Sequence, residues 1–191
     1  LEKIIKKSKY QFEFIDLGGG MGINYGNDKK ILNLKKYEQL IKKFLRKRDS
    51  QIIFEPGRSI IANSGILISK VLYIKESSKK NFIILDAAMN DLIRPALYNA
   101  THKIMPVKLN NKKSKKFYEF VGPICESTDK FALLKDFQIL KEKDLVIIFD
   151  VGAYGMSLSS NYNLRLKAAE ILIRNSKVKI INKRQTFKDL I

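Results

Sequence analysis

The sequence predicts an α/β unit with parallel strands over residues 1–64 and a mostly antiparallel β domain over residues 65–191. Two observations carry this. In the first part, short apolar runs end in glycine or proline loops and are separated by a segment of helical period. Strand, loop, helix, strand is the repeat of a parallel fold, in which functional groups gather beyond the C-terminal strand ends. In the second part, apolar runs return at short intervals with no full-length helix between them, the pattern of antiparallel pairing.

Taken in order, "FEFIDLGGGMG" reads as a strand from Phe12 to Leu17, stopped by three glycines. "NLKKYEQLIKKFLRKR" sets Leu34, Tyr37, Leu40, Ile41, Phe44 and Leu45 at three- and four-residue spacing, an amphipathic helix with a basic outer face. "QIIFEPGRS" is a second short strand, closed by Pro56 and Gly57. "GILISKVLYIKES" and "NFIILDAAMN" are strands on either side of a polar turn, a hairpin signature. "KFYEFVGPIC", "DLVIIFDVGAYG" and "SKVKIINKRQTF" are further strands, and "RLKAAEILIR" reads as a short helix.

With 191 residues, 45% hydrophobic and 29% charged, the composition is that of a soluble globular chain. No apolar run reaches the ~18 residues that span a bilayer. The opening "LEKIIKKSKYQFEF" lacks the continuous apolar core of a signal peptide. A single cysteine, Cys125, cannot form an internal disulfide, which points to a reducing cytoplasm. The chain opens on Leu1 in what reads as the end of a helix, as the C-terminal part of a longer protein would. The formal charge of +18 would suit nucleic acid, yet 30 of the 37 basic residues are lysines spread along the chain. Direct readers of nucleic acid lean on arginine forks and aromatic platforms. The run "NNKKSKK", Asn110 to Lys116, therefore reads as a solvated loop.

Five motifs carry chemistry. Gly18, Gly19 and Gly20 follow the first strand, where backbone N–H groups can approach an anion; glycines also simply make tight turns. Glu55, Pro56, Gly57 and Arg58 close the second strand and suit either an anion or a salt-bridged loop. Arg94 and Tyr98 stand four residues apart in "MNDLIRPALYNATHK", helical from Pro95, where a guanidinium and a phenol could receive a carboxylate. His102, with no partner evident in sequence, reads as structural. In "VGPICESTD", Cys125 precedes Glu126, and a thiol there is either an acid or nucleophile or an inert packed side chain. In "DVGAYGMSLSSNYN", Tyr154 lies between two glycine positions at the end of a long apolar strand.

Together and in this order, from about Phe12 to Ile173, these motifs resemble the C-terminal half of diaminopimelate decarboxylase, a pyridoxal-phosphate enzyme of lysine biosynthesis. The resemblance implies an alanine-racemase-like fold, a (β/α)8 barrel followed by a β domain, with only the last barrel strands and helices present here. It implies that Gly18, Gly19 and Gly20 cradle the cofactor phosphate and that Glu55, Pro56, Gly57 and Arg58 lie against the cofactor, Arg58 also meeting substrate. Arg94 and Tyr98 would hold the distal carboxylate of meso-diaminopimelate, Glu126 its distal amino group, and Tyr154 would touch cofactor and substrate. Cys125 would be the acid that returns a proton to Cα after carbon dioxide leaves, in the partner's site of a homodimer with shared active sites. A thiol, with an ordinary pKa of ~8.5, is protonated at neutral pH and able to donate.

The family's Schiff-base lysine and the histidine that stacks on its cofactor have no matching motif here, so the chain by itself is expected to be inactive and a full-length parent active. "NYNLRLKAAE" also departs from the family, which carries a proline before the second basic residue. Two other functions stay open on the sequence: decarboxylation of another basic amino acid or carboxylated polyamine, and a non-catalytic basic remnant that binds nucleic acid.

Overall fold

In the computed structural model, which describes residues 1–25 and 32–191, the chain divides into two units, Leu1–Ile61 and Ala62–Ile191. The first begins with helix α1 (Glu2–Ser8), which Lys9 ends in the left-handed conformation, φ 55°. Strands β1 (Phe14–Asp16) and β2 (Gln51–Ile53) pair in parallel, with Ile15 opposite Ile52. The expected helix between them is α2 (Leu34–Leu45); the Asn33 side chain caps it by accepting the Lys36 N–H at 3.0 Å. Tyr37, Ile41, Phe44 and Leu45 form its half-buried stripe, while Leu34 and Leu40 stand in solvent. A short helix, α3 (Arg58–Ile61), follows β2.

The second unit is built on one six-stranded sheet. Its strands are β3 (Leu67–Lys75), β4 (Phe82–Leu85), β5 (Ile104–Pro106), β6 (Tyr118–Val121), β7 (Lys130–Leu134) and β8 (Leu145–Ile148), in the order β5-β8-β3-β4-β6-β7. Every neighbouring pair is antiparallel except β4 and β6. The expected hairpin is present as β3 and β4, and the domain is a mostly antiparallel sheet as predicted. Val71, Ile83, Leu85, Phe120, Val146 and Ile148 fill its core with Leu92, Phe131 and Phe137. Phe120 is fully buried and meets Phe137 edge-on, ring centres 4.9 Å apart. Phe120→Ala is expected to lower the unfolding free energy by about 3–5 kcal/mol, read as a fall in melting temperature. A melting temperature unchanged by that substitution would mean that this sheet is not the packed core.

One element differs from expectation. The segment "RLKAAEILIR" is not a helix: Glu170–Arg174 forms strand β9, paired antiparallel with β10 (Lys177–Asn182). The cause is local. Asn175 and Ser176 both take positive φ, 48° and 61°, the double left-handed turn whose twist suits a two-residue hairpin. Ile171 and Ile173, Cβ-branched, then favour the pleated partner over a helix. The run Asn110–Lys116 is a largely exposed loop, in which Lys113 makes an isolated bridge to Gln138.

Candidate active site

In the first unit, two loops follow the ends of β1 and β2. The pairing continues past the strands, with Leu17 N–H bonded to the Ile53 carbonyl at 3.0 Å and Glu55 N–H to the Gly18 carbonyl at 2.9 Å. The glycine loop is thereby laid against the Glu55–Arg58 turn. Gly18 and Gly20 take φ 65° and 80°, which glycine adopts without strain, and among the described residues no atom outside the adjoining chain lies within 4 Å of where their Cβ would be. Gly19 has no such room: a Cβ there would run into the Glu55 carbonyl oxygen. The Asp16 carboxylate accepts the Gly18 N–H at 2.7 Å. Arg58 Nε is buried with no hydrogen-bond partner among the described residues. An orphaned buried guanidinium N–H and an open glycine loop are each suited to an anion.

In the second unit, two segments converge on one buried carboxylate that sequence reasoning missed. Asp129 is 2% exposed. Its two oxygens accept the Ile124 N–H at 2.9 Å and the Met89 N–H at 2.7 Å, and its carbonyl accepts the Gly122 N–H at 3.0 Å. A Cβ on Gly122 would collide with this carboxylate, so the glycine of "VGPICESTD" is required for the turn to close. Burial pushes the Asp129 carboxyl above the usual range, against the two N–H bonds that pull it down. The turn between β6 and β7 is thus wound around Asp129, and Cys125 and Glu126 stand exposed at its tip. Asp129→Asn should leave one backbone N–H facing an amide donor, at a cost of about 1–3 kcal/mol. The measurements are thermal melting and the alkylation rate of Cys125, which should change as its turn loosens.

Glu126 has a partner that no motif announced. The Tyr162 hydroxyl donates to its carboxylate at 2.9 Å, and this bond raises the Tyr162 phenol above its ordinary pKa. Tyr162 is placed by its neighbours. Ser160 exchanges bonds with Asn90, N–H to carbonyl at 2.9 Å and Asn90 Nδ2 to the Ser160 carbonyl at 3.3 Å. Arg165 Nε donates to Asn90 Oδ1 at 2.9 Å, and its guanidinium also reaches the Asp86 carbonyl. "MNDL", "ICES" and "SSNYNLR", far apart in the chain, are therefore one hydrogen-bonded cluster. The polar spacing of "SSNYN" was the only signal in sequence.

Arg94 opens helix α4 (Arg94–Tyr98) as expected, but it and Tyr98 differ in setting. Arg94 is 4% exposed and Tyr98 is 64% exposed. Arg94 Nη1 donates to His102 Nε2 at 3.0 Å, so the histidine that seemed to lack a partner has one. Tyr154 follows β8 with φ 64°, a conformation uncommon for an aromatic residue, and its ring is half in solvent. Its loop is fixed from both sides. Val151 N–H bonds to the Gly65 carbonyl and Gly152 N–H to the Ala62 carbonyl, each at 3.0 Å, and a Cβ on Gly155 would meet the Val151 carbonyl. Among the described residues no helix is long and apolar enough to cross a membrane, and no cluster of His, Cys, Asp and Glu could hold a metal ion.

Known proteins resemble the chain along nearly its whole length. It is 41% identical over 98% of its residues to a diaminopimelate decarboxylase of Aquifex aeolicus, and it spans 44% of that protein's length. It superposes on diaminopimelate decarboxylase from Helicobacter pylori complexed with L-lysine with a TM-score of 0.85 at 41% identity, over 99% of this chain and 46% of that one. The corresponding enzyme of M. jannaschii, also with L-lysine, gives a TM-score of 0.87 at 37% identity, over 98% of this chain and 44% of that one. Residues 12–152 match the pyridoxal-dependent decarboxylase C-terminal sheet domain, and the chain belongs to that family.

Proposed function

We propose that this chain is the C-terminal part of a pyridoxal-phosphate enzyme that decarboxylates meso-diaminopimelate to L-lysine and carbon dioxide. Residues 1–64 would be the last strands and helices of its (β/α)8 barrel. Residues 65–191 would be the sheet domain that brings the substrate and dimer-interface motifs. The observation that carries this is the Asp129-centred turn, which holds a thiol and a carboxylate side by side in solvent. The relatives named above support the substrate.

The residues of the first unit fit the cofactor. Among the described residues, the glycine loop leaves space at Gly18 and Gly20 that suits a phosphate, and the buried Arg58 Nε, without a hydrogen-bond partner, suits an anionic group. When bound, the cofactor supplies the electron sink that takes up the pair left behind as a carboxylate departs. The chain's own side chains do the rest. Arg94 and Tyr98 receive the distal carboxylate, and Glu126, oriented by Tyr162, receives the distal ammonium. Cys125 hands its S–H proton to Cα and is left as the thiolate, which solvent reprotonates. Tyr154, held out by its left-handed backbone, covers substrate and cofactor. Cys125 and Glu126, exposed at a turn tip, would act in the site of a second copy, as a cytoplasmic homodimer with shared sites would require.

Incubating the full-length protein and pyridoxal phosphate with meso-diaminopimelate, L-lysine or L-ornithine separately tests this. Lysine formed from diaminopimelate, with the other two left intact, is the expected result. Preferential loss of carbon dioxide from ornithine or lysine would instead assign a simple diamino-acid decarboxylase. Salt-sensitive DNA binding with no decarboxylation would assign a nucleic-acid binder.

A further inference from the structure

We propose that His102 is a positioning residue, which the Phe149 carbonyl holds in one tautomer so that it aims the Arg94 guanidinium at the distal carboxylate of the substrate. This rests on the reading of Arg94 as a carboxylate receptor. The geometry leaves one protonation pattern. His102 Nδ1 lies 2.8 Å from the Phe149 carbonyl oxygen, and His102 Nε2 lies 3.0 Å from Arg94 Nη1. A carbonyl can only accept, so Nδ1 carries the proton. A guanidinium can only donate, so Nε2 presents its lone pair. The ring is therefore neutral. Burial, first, and the Arg94 charge push the proton off it, outweighing the Phe149 carbonyl and Asp150, which pull the other way.

The fold builds this contact deliberately. Asn99 ends α4 in the left-handed conformation, φ 50°, and the Ala100 N–H returns to the Arg94 carbonyl at 3.3 Å. The chain doubles back and sets residue 102 against residue 94. The Phe149 N–H bonds to the Lys103 carbonyl at 2.9 Å, which fixes the Phe149 carbonyl beside the ring. His102 is 6% exposed, so the pair is a dry, directional contact. A guanidinium has five N–H donors, and His102 engages one of them. Holding that one fixes the plane of the fork, and a planar fork is what bidentate binding of a carboxylate needs.

The test uses full-length holoprotein, wild type and with His102→Phe or His102→Gln. His102→Phe removes the acceptor and should raise KM for meso-diaminopimelate about 10- to 100-fold with a smaller change in kcat, the loss expected for a hydrogen bond to a charged group. The Gln amide can donate to Phe149 and accept from Arg94, so His102→Gln should recover most of that loss. 1,5-Diaminopentane has no carboxylate for Arg94 to receive, and its inhibition constant should stay the same in both variants, whereas L-lysine, which keeps the distal carboxylate, should weaken with diaminopimelate in His102→Phe. Histidine 15N NMR, with the His102 signals assigned by their loss in His102→Gln, should show Nδ1 protonated and Nε2 bare at neutral pH. A protonated Nε2, or equal weakening of diaminopimelate and 1,5-diaminopentane, would overturn the proposal. Wild-type holoprotein inactive on diaminopimelate would overturn the reading of Arg94 and the role of His102 with it, whereas the tautomer can be measured without any turnover.

Discussion

Replacing Cys125 with alanine in the full-length protein is expected to lower kcat for meso-diaminopimelate by about 10²–10⁴-fold, the usual contribution of a positioned acid. The substitution should not unfold the protein. Cys125 is exposed at a turn tip, and the turn is held by Asp129 through backbone groups of Gly122 and Ile124, not by the thiol. KM should change little, because the thiol gives its proton to Cα after binding is complete. The neighbour makes a useful contrast. Glu126→Gln removes the charge proposed to meet the distal ammonium and frees Tyr162 from its carboxylate partner. Its effect should fall on KM, and the Tyr162 phenol should titrate lower, since the Glu126 bond is the first cause of its raised pKa. A Cys125→Ala enzyme with normal kcat would show that the proton comes from elsewhere.

Arg94→Ala is the second large effect. Removing one partner of a buried, hydrogen-bonded charge contact costs about 2–5 kcal/mol, or roughly 30- to 3,000-fold in kcat/KM for diaminopimelate. Arg94 is nearly fully buried, so part of the loss will be structural, and Arg94→Lys separates the two. Lysine keeps the charge and much of the volume but lacks the planar fork, so it should fold and still bind diaminopimelate poorly. Inhibition by 1,5-diaminopentane, which has no carboxylate, should survive in Arg94→Lys, while inhibition by L-lysine, which keeps the distal carboxylate, should weaken. If 1,5-diaminopentane and diaminopimelate weaken together, Arg94 supports the fold and does not receive substrate.

Much of this architecture was legible because local chemistry and fold agree. Three glycines after an apolar run, a helix of clean period and a second run stopped by Pro56–Gly57 gave the parallel unit. The polar turn between β3 and β4 gave the hairpin. The misread segment, Arg165–Arg174, was apolar at a spacing that fits either period, and the deciding feature was the Asn175–Ser176 turn beyond it. The site was only half legible. Cys125, Glu126 and Tyr154 sit in distinctive motifs, and all three lie exposed in loops or turns. What ties them together was invisible. Asp129 bonding to Met89, Tyr162 to Glu126 and Arg94 to His102 are contacts across 40, 36 and 8 residues. No periodicity encodes such contacts, since they exist only once the sheet has set the loops side by side.

The most direct measurement is to let the full-length holoprotein turn over meso-diaminopimelate in deuterium oxide and weigh the amino-acid product. L-lysine carrying one deuterium at Cε, the carbon that lost its carboxylate, formed with one carbon dioxide per molecule, is the predicted result, because the departing carboxylate is replaced by a proton from an exchangeable donor. Diaminopimelate recovered intact, from protein that has bound pyridoxal phosphate, would contradict the assignment.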